Sequence, residues 1–558
     1  MNVLLPLDYL IFFVYFLMVA GYGFWVYRQK KSKVSGSQDY FLAEGSLTWW
    51  AIGASLIASN ISAEQFIGTS GSGFKMGLAI ASYEWMAGIT LLIVASVFIP
   101  VYLKNKIYTM PQFLNMRYNS TVSTIMAVFW LLLYVTVNLT SIVYLGALAV
   151  SAISGLNLYF CLGGLAIFAI FITLGGMKVI GYTDVLQVFF LILGGLVTTY
   201  IALNLVAHQF GSTGFLNGFA LMKQHAEDHF HMILKRDNPS FADLPGLTVL
   251  IGGMWIANLN YWGCNQYITQ RALGADLKTA RGGLLFAACL KILMPVIVVL
   301  PGIAAYVLYK EGNFHQEMLQ NGELNPDKAY PVLLNLLPTG FKGLSFAALT
   351  AAVVASLAGK ANSISTIFTL DIYRKIFNKT ASEARLVRVG KITVVVAMVI
   401  AVALCTQIGI EKKGGFQFIQ EYTGYVSPGI FAMFILGFFW KKTTSDAALF
   451  ATIGGFLISI IYNLVLKYTS IDFSFLASSG FAVKNEVGRY IIPFLDRMGF
   501  VFIFCVIGMW IISTIQNNQG VKPKGLIIDT AMFKLDKGFL VGGLLVIGVI
   551  AALYSVYW

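Results

Sequence analysis

The chain has 558 residues, of which 58% are apolar and 11% are charged, and its formal net charge at pH 7 is +13. This composition excludes a soluble globular protein and a disordered chain, and it is typical of a protein that lies in a membrane. Its basicity does not indicate a nucleic-acid partner, because most of the lysines and arginines fall in alternate loops between apolar runs, which is a pattern of membrane topology.

Apolar runs long enough to cross a bilayer recur along the whole sequence. We count about fourteen of roughly 20 residues each. They begin near Leu7, Leu47, Met76, Thr121, Leu158, Tyr182, Pro245, Gly282, Phe341, Val387, Phe416, Asp446, Tyr490 and Phe539. Because lipid cannot solvate open backbone, the runs predict an all-α polytopic membrane protein. The first run lacks a preceding basic region and a cleavage site, so we expect it to remain as a helix rather than to act as a signal peptide.

The charge pattern also predicts the orientation. Loops rich in lysine and arginine face the cytoplasm, which places both termini outside the cell and the protein in a plasma membrane, here a bacterial inner membrane. The predicted organisation has five parts: an extra N-terminal helix with a basic cytoplasmic loop (1–46), a first five-helix unit (47–206), an extracytoplasmic loop (207–244), a second five-helix unit (245–440) and three accessory helices (441–558).

Two apolar segments are interrupted by polar residues near their middle. The stretch "ASLIASNISAEQFIGTSGSG" opens the first five-helix unit, and "LIGGMWIANLNYWGCNQYITQR" opens the second. Interrupted helices at corresponding places in two halves indicate the binding site of an inverted-repeat transporter, because unwound backbone leaves carbonyls free for a cation. Small polar residues that join helices are the alternative. We also expect Gly71-Ser72-Gly73 to break a helix.

Charged residues inside these segments indicate the chemistry of the site. Glu84 and Lys291 lie in separate membrane helices, where an ionisable group needs a partner. Amides surround them in sequence, namely Asn60, Gln65, Asn258, Asn260 and Gln420. Amides with one acid and one base suit a neutral solute with many hydroxyl groups. Aromatic residues supply flat apolar faces for its C–H surface. An anionic substrate would be expected to have an arginine among these candidate residues, and they include none.

Other site chemistry finds little support. The five cysteines form no CxxC or metal spacing. Four of the five histidines fall between His208 and His231, where a metal site is an alternative to a solvated polar loop. We find no phosphate-binding loop, dinucleotide motif or nucleophile elbow. The sequence therefore predicts neither an enzyme nor a bound cofactor, and it indicates no nucleic acid and no obligate protein partner.

Several stretches resemble the solute:sodium symporter family over nearly the whole chain. They are "GASLIASNISAEQFIG", "GLAIASYEWM", "NLTSIVYLG", "IANLNYWGCNQYITQR", "NSISTIFTLDIY" and "IQEYTGYVSPG". The resemblance implies a five-plus-five inverted-repeat core with discontinuous first and sixth core helices. It also implies one extra helix before the core and three after it. The implied function is symport of a monosaccharide, galactose or glucose in type, coupled to sodium by alternating access.

The resemblance also implies roles for individual residues. The sugar contacts would be Asn60, Gln65, Glu84, Asn258, Lys291 and Gln420. The inner gate would be Tyr261 with Trp262, and the outer gate Tyr83 and Phe416. Sodium would bind the backbone carbonyls of Ala58, Ile61 and Ala352 and the hydroxyl of Ser356. The sequence departs from the family pattern at Ala87, Thr69 and Asn260, and at Ala355, which removes one hydroxyl from the sodium site.

Lys360 lies inside an apolar run, where an ammonium group costs about 3 kcal/mol or more. Helical spacing places it on the same face as Ala352 and Ser356. One interpretation is that Lys360 pairs with Asp184 or extends into an inner vestibule. The other is that its ammonium replaces sodium, so that transport is uncoupled or linked to protons. A sugar sensor or channel with the same pocket is a further alternative.

Overall fold

The computed structural model describes residues 4–29, 48–62, 64–107, 109–174, 177–320, 322–407, 414–469, 471–485 and 488–558. The expected basic loop before residue 47 lies mostly outside these ranges. The described chain is almost entirely helical. It has two short antiparallel hairpins, Leu319–Gln320 with Glu323–Leu324 and Val483–Lys484 with Tyr490–Ile491. The prediction of an all-α membrane protein is confirmed at this level.

The N-terminal half combines α-helices with short irregular helical turns. Its α-helices are Pro6–Gln29, Trp49–Asn60, Ser70–Met76, Ser82–Ile93, Ile99–Lys104, Met110–Arg117, Ser120–Leu133, Thr140–Ser154, Leu158–Thr173, Met177–Gln209, Phe215–His225, Thr248–Ile251, Gly253–Gly263 and Gln266–Leu273. Short 3₁₀ segments are Gly77–Ala81 and Glu227–His229, and π-helical turns are Glu64–Thr69, Val94–Phe98 and Tyr134–Leu139.

The C-terminal half begins with the longest described helix, Leu277–Lys310. Its α-helices are Leu277–Lys310, Ala329–Asn335, Phe341–Thr366, Glu383–Leu404, Gly415–Thr423, Ser427–Phe439, Ser445–Leu449, Gly455–Tyr468, Phe494–Asn518 and Lys537–Val556. The 3₁₀ segments are Pro326–Lys328, Ser474–Leu476 and Thr530–Phe533, and the π-helical segments are Ile367–Phe377 and Phe450–Gly454. In the described ranges, nine helical spans are long and apolar enough to cross a membrane, or ten if one bent pair of helices counts as a single span. Two further apolar helices are shorter. The expected number of fourteen stays a prediction.

Both segments with polar interruptions are broken in the structure. The helix Trp49–Asn60 ends where Ile61 adopts an extended conformation, and helical structure resumes at Glu64. The second segment is broken at Gly252 and again at Cys264 and Asn265. Asn265 caps the helix that follows, because its side chain accepts the amide hydrogen of Tyr267. Both breaks leave backbone groups outside regular helix.

The expectation of a break at Gly71-Ser72-Gly73 is wrong. These residues lie within the helix Ser70–Met76. A Cβ atom at Gly71 would lie 2.5 Å from Oδ1 of Asp327, and one at Gly73 would lie 2.8 Å from the carbonyl oxygen of Val299. The glycines therefore allow neighbouring segments to approach the helix closely, which is a packing role that the sequence pattern alone does not separate from a helix break.

The helix Leu277–Lys310 occupies the centre of the packing. It contacts the helices Trp49–Asn60, Ser70–Met76 and Ser82–Ile93. The helix Phe341–Thr366 is almost completely buried and packs against Pro6–Gln29 and Met177–Gln209. Lys291 lies on the first of these two central helices and Lys360 on the second, so each lysine is held in a rigid, buried element.

Candidate functional site

A single cavity collects the residues that the sequence singles out. It lies where the two broken segments meet the helices Ser82–Ile93, Leu277–Lys310 and Gly415–Thr423. Its lining includes every predicted sugar contact and gate residue: Asn60, Gln65, Tyr83, Glu84, Asn258, Tyr261, Trp262, Lys291, Phe416 and Gln420. Residues separated by more than 300 positions thus share one site.

An ion pair forms one wall of the cavity. Lys291 Nζ lies 2.5 Å from Glu84 Oε2, and the two side chains are 1% and 3% exposed. The same ammonium donates to the side-chain oxygen of Asn60 and lies 5.2 Å from the centre of the Trp262 ring. The buried acid and base therefore neutralise each other, as buried charges must.

Hydrogen bonds orient the amides around this pair. Asn258 donates to the carbonyl oxygen of Met254 at 3.2 Å. The side-chain oxygen of Gln65 accepts a bond from Thr69 at 3.0 Å. Asn260 donates to the hydroxyl of Ser427 at 3.1 Å. Thr69 and Asn260, two departures from the family pattern, therefore support the site through these bonds.

Two aromatic pairs lie against the cavity. Tyr261 packs edge-on against Trp262 with ring centres 5.1 Å apart, and Tyr83 packs edge-on against Phe416 at 4.9 Å. Tyr83 and Phe416 are both buried. Gly68 allows this approach on the predicted outer side, because a Cβ atom there would lie 2.8 Å from the backbone nitrogen of Phe416.

Tyr261 is expected to act mainly through its ring. Its hydroxyl accepts a long bond of 3.3 Å from Asn60, and such a neutral bond contributes about 1 kcal/mol. Tyr261→Phe should therefore retain most sugar uptake, whereas Tyr261→Ala should lose coupled transport because the ring is removed. Sugar uptake by each variant, reconstituted separately into vesicles of the same composition, checks this. Equal loss of uptake in both variants would assign the role to the hydroxyl. Phe416→Ala removes the ring on the predicted outer side and tests the second aromatic pair.

Lys360 lies in a cage of three tyrosines. Its Nζ is 4.6 Å from the ring centre of Tyr267, 5.4 Å from that of Tyr134 and 6.0 Å from that of Tyr261. Aromatic faces attract cations, and more strongly when water is absent. Asn138 Oδ1 accepts a bond from the ammonium at 3.4 Å, and the residue is 3% exposed. We call this group the tyrosine cage.

The electrostatic partner of Lys360 in the described part of the chain is Glu64. The expected alternative partner, Asp184, has a side chain outside the described residues. Oε1 of Glu64 is buried without a hydrogen bond to any described atom, and no direct ion pair of hydrogen-bond length joins Glu64 to Lys360 in the described ranges. Glu64 belongs to the first interrupted stretch, but sequence analysis assigned it no role. Its position in the interrupted helix was the available signal.

The predicted sodium ligands lie close to this cage. Ser356 Oγ donates to the carbonyl oxygen of Ile61 at 3.4 Å, a separation that allows both oxygens to contact one small cation. Ala58 and Ala352 are buried near them on the same two segments. Ala355 supplies no side-chain oxygen. The residues therefore fit a sodium ion in part, with one hydroxyl fewer than the family pattern.

The histidines of the 207–244 loop make packing contacts. His229 stacks on Tyr306 with ring centres 3.9 Å apart and its Nε2 contacts the carbonyl oxygen of Phe74 at 3.1 Å. Burial lowers the pKa of His229. His231 contacts the backbone oxygen of Trp558 at 2.9 Å. No group of three metal-binding side chains occurs within the described ranges, so the metal alternative gains no support.

Asp327 is a residue that sequence analysis missed. It is 1% exposed, and its Oδ2 accepts the amide hydrogen of Gly415 at 2.7 Å, where the helix carrying Phe416 begins. Its Oδ1 faces Gly71 on the interrupted first core segment. The carboxyl group thus joins two segments beside the predicted outer gate. It lies in a loop between membrane helices, where no sequence motif marks it.

Asp327 is expected to make closure of the outer side depend on pH. Burial raises its pKa to about 7, above the value of about 3.9 in water. A raised pKa stabilises the closed arrangement at low pH, and that stabilisation is lost as the pH rises through about 7. Asp327→Asn should remove this dependence while the side-chain oxygen still accepts from Gly415. Accessibility of a cysteine introduced at Ile419, which lines the cavity on the same helix as Phe416, measured against external pH, checks it. An unchanged profile in the variant would contradict it.

This chain is similar to a described protein family and to individual known proteins. A family model described as the sodium:solute symporter family matches residues 40–455. The chain belongs to the sodium:solute symporter family. It is therefore a member of a family of membrane transporters, and the resemblance stated from its motifs is confirmed.

Two relatives are similar over most of their length. A sodium/glucose cotransporter of Vibrio parahaemolyticus is 45% identical over 99% of this chain and 98% of its own. A sodium/myo-inositol cotransporter 2 of Mus musculus is 36% identical over 83% of this chain and 70% of its own. Among solved structures, a Na⁺-coupled sialic acid symporter in a substrate-bound outward-open state covers 93% of this chain and 99% of its own, with a TM-score of 0.72 and 21% identity. The similarity to this solved structure supports the fold described above.

Proposed function

We propose that this member of the sodium:solute symporter family moves a monosaccharide into the cell by alternating access. One observation carries the proposal: a buried acid and base, Glu84 and Lys291, lie together with amides in a cavity between two aromatic pairs. Sugar hydroxyls both donate and accept hydrogen bonds, and this set offers both functions at once. Relatives named for glucose and myo-inositol point to the same class of polyhydroxy solute.

The site suits a neutral sugar, because the charges of Glu84 and Lys291 cancel each other. The Glu84 carboxylate would accept from sugar hydroxyls, and the Lys291 ammonium has one hydrogen left to donate beside its bonds to Glu84 and Asn60. The ring of Tyr261 would lie against the apolar face of the pyranose on one side. Tyr83 and Phe416 would cover the other side. Opening one pair while the other stays closed gives alternating access.

Sodium is the coupling ion that family membership favours. It would bind the Ile61 carbonyl and the Ser356 hydroxyl and hold the first interrupted helix against the helix Phe341–Thr366. A ligand shifts a conformational equilibrium only through its differential affinity for the two states. Sodium would act in this way by favouring the state in which both oxygens are close together.

A second candidate is supported by the tyrosine cage. The Lys360 ammonium lies on the same helix as Ser356, is buried, and faces Glu64. A tethered cation there could provide permanently part of the stabilisation that sodium provides on binding, which would make sugar transport independent of sodium or linked to protons. A sensor or channel remains a third class, because the same pocket could bind sugar without accumulation.

Uptake into proteoliposomes separates these functions. Radiolabelled galactose and glucose would be offered with a sodium gradient and a pH gradient imposed separately. Accumulation above the external concentration with the sodium gradient supports the symporter. Accumulation with the pH gradient alone supports the second candidate. Equilibration without accumulation under either gradient contradicts active transport, and absence of any sugar binding overturns the proposal.

A further inference from the structure

A second groove, of about 780 Å³, lies outside the sugar cavity. It is bounded by the end of the π-helical segment Ile367–Phe377 and by the helices Met110–Arg117 and Ser120–Leu133. The charge pattern of the sequence places these elements at the cytoplasmic face. Its volume is within the range of sites that bind small ligands. The sugar cavity shares none of its lining residues.

The groove carries excess positive charge. Arg374, Lys375 and Lys379 line it, with Asp371 as the acidic residue of its lining. Lys375 is already occupied, because its Nζ lies 2.7 Å from Asp371 Oδ1 and 3.3 Å from the hydroxyl of Ser123. Arg374 and Lys379 make no hydrogen bond or ion pair within the described part of the chain. The groove therefore presents two cations that are available to an anion.

Hydroxyl groups and an apolar edge complete the groove. Ser120 and Thr124 line the wall opposite the cations and can donate hydrogen bonds to phosphate oxygens. Ile376 and Phe377, next to Arg374 in sequence, are 55% and 70% exposed. A free anion makes no favourable contact with apolar side chains, whereas a phospholipid has a charged headgroup and apolar chains in one molecule. Basic pockets on the cytoplasmic side are suited to such headgroups.

We propose that this groove binds the headgroup of an anionic phospholipid, with its acyl chains along Ile376 and Phe377. Arg374 and Lys379 contact the phosphate, and Ser120 and Thr124 donate to its oxygens. Because Arg374 follows Lys360 by 14 residues on one continuous helical segment, the headgroup lies about 20 Å from the tyrosine cage. The lipid thus joins the end of this segment to the helices Met110–Arg117 and Ser120–Leu133.

Native mass spectrometry of the purified full chain tests the site. Phosphatidylglycerol would be titrated against the wild-type protein, the double variant Arg374→Gln/Lys379→Gln and the control Lys522→Gln/Lys524→Gln. The control removes two exposed cations from another loop of the same predicted face. We expect the first variant to bind phosphatidylglycerol at least about tenfold more weakly and the control to match the wild type. Thermal unfolding in lipid-free detergent checks that all three proteins are equally folded.

Two results would overturn the proposal. Equal affinity in the wild type and in both double variants would mean that lipid binds to the general positive charge of this face. Displacement of phosphatidylglycerol by an equal concentration of inorganic phosphate would assign the groove to a soluble anion. Phosphatidylcholine, titrated in parallel, should bind much more weakly than phosphatidylglycerol, and equal binding of the two would also contradict the anionic site.

Discussion

Replacing either Lys291 or Glu84 with alanine is expected to abolish sugar uptake. Each change removes one of the proposed hydrogen-bonding partners of the sugar and leaves the other member of the 2.5 Å pair buried and uncompensated. The uncompensated charge costs about 3–5 kcal/mol of folding stability, so each variant is first checked for correct folding. A hydrogen bond to a charged group contributes about 1.5–3 kcal/mol, which corresponds to a loss of about tenfold to a hundredfold in sugar affinity. Tryptophan fluorescence or radiolabelled sugar binding to the purified variants measures this directly.

An exposed ion pair provides the matched control. Lys75 and Asp243 lie 3.1 Å apart with side chains 46% and 30% exposed, and such surface pairs contribute about 0–1 kcal/mol. Lys75→Ala should therefore leave sugar binding almost unchanged. The assignment of Glu84 and Lys291 to the sugar site is wrong if either alanine variant, correctly folded, binds sugar with wild-type affinity.

Sodium dependence should increase in the double variant Ala355→Ser/Lys360→Met. The serine restores a hydroxyl next to Ser356, and the methionine removes a cation from the tyrosine cage. Under the second candidate function, in which the Lys360 ammonium replaces sodium, wild-type uptake depends little on sodium. The double variant should then be stimulated about tenfold or more by sodium if the ammonium contributes at least about 1.4 kcal/mol to the same equilibrium. The measurement is initial uptake with sodium or choline at fixed pH.

The single variants separate the two effects. Lys360→Arg keeps a cation among the tyrosines and should remain insensitive to sodium, whereas Ala355→Ser alone should add a ligand beside a competing charge and gain little. The interpretation fails if wild-type uptake already collapses when choline replaces sodium. In that case Lys360 only balances the charge of Glu64 and sodium binds normally.

The sequence was sufficient to predict the class of fold and the composition of the candidate cavity. The interrupted segments around Asn60 and Asn258 predicted two helix breaks, which the structure contains. An acid and a base buried in separate helices require partners, so the meeting of Glu84 with Lys291 follows from the cost of an isolated charge. These inferences rest on polar interruptions within apolar runs and on the high free-energy cost of an unpaired charge in a membrane.

Contacts between segments that are distant in sequence were harder to predict from the sequence. Nothing in the local sequence shows that Asp327 lies between Gly71 and Gly415, because three segments distant in sequence meet there. The same gap explains the wrong expectation of a helix break at Gly71. The interpretation that Lys360 pairs with Asp184 stays a prediction, because the side chain of Asp184 lies outside the described residues. Among the described residues, the acidic group that acts on Lys360 is Glu64, which the sequence pattern did not assign to it.

The charges that line the sugar cavity have a consequence for membrane voltage. Glu64 and Glu84 balance Lys291 and Lys360, so in their ionised forms the four side chains carry no net charge. A membrane potential acts on each unbalanced charge with about 2.3 kcal/mol per 100 mV. Reorientation of the empty cavity should therefore respond little to voltage. An ion that enters with the sugar would make the loaded protein the voltage-sensitive form and let the cell's electrical gradient drive uptake.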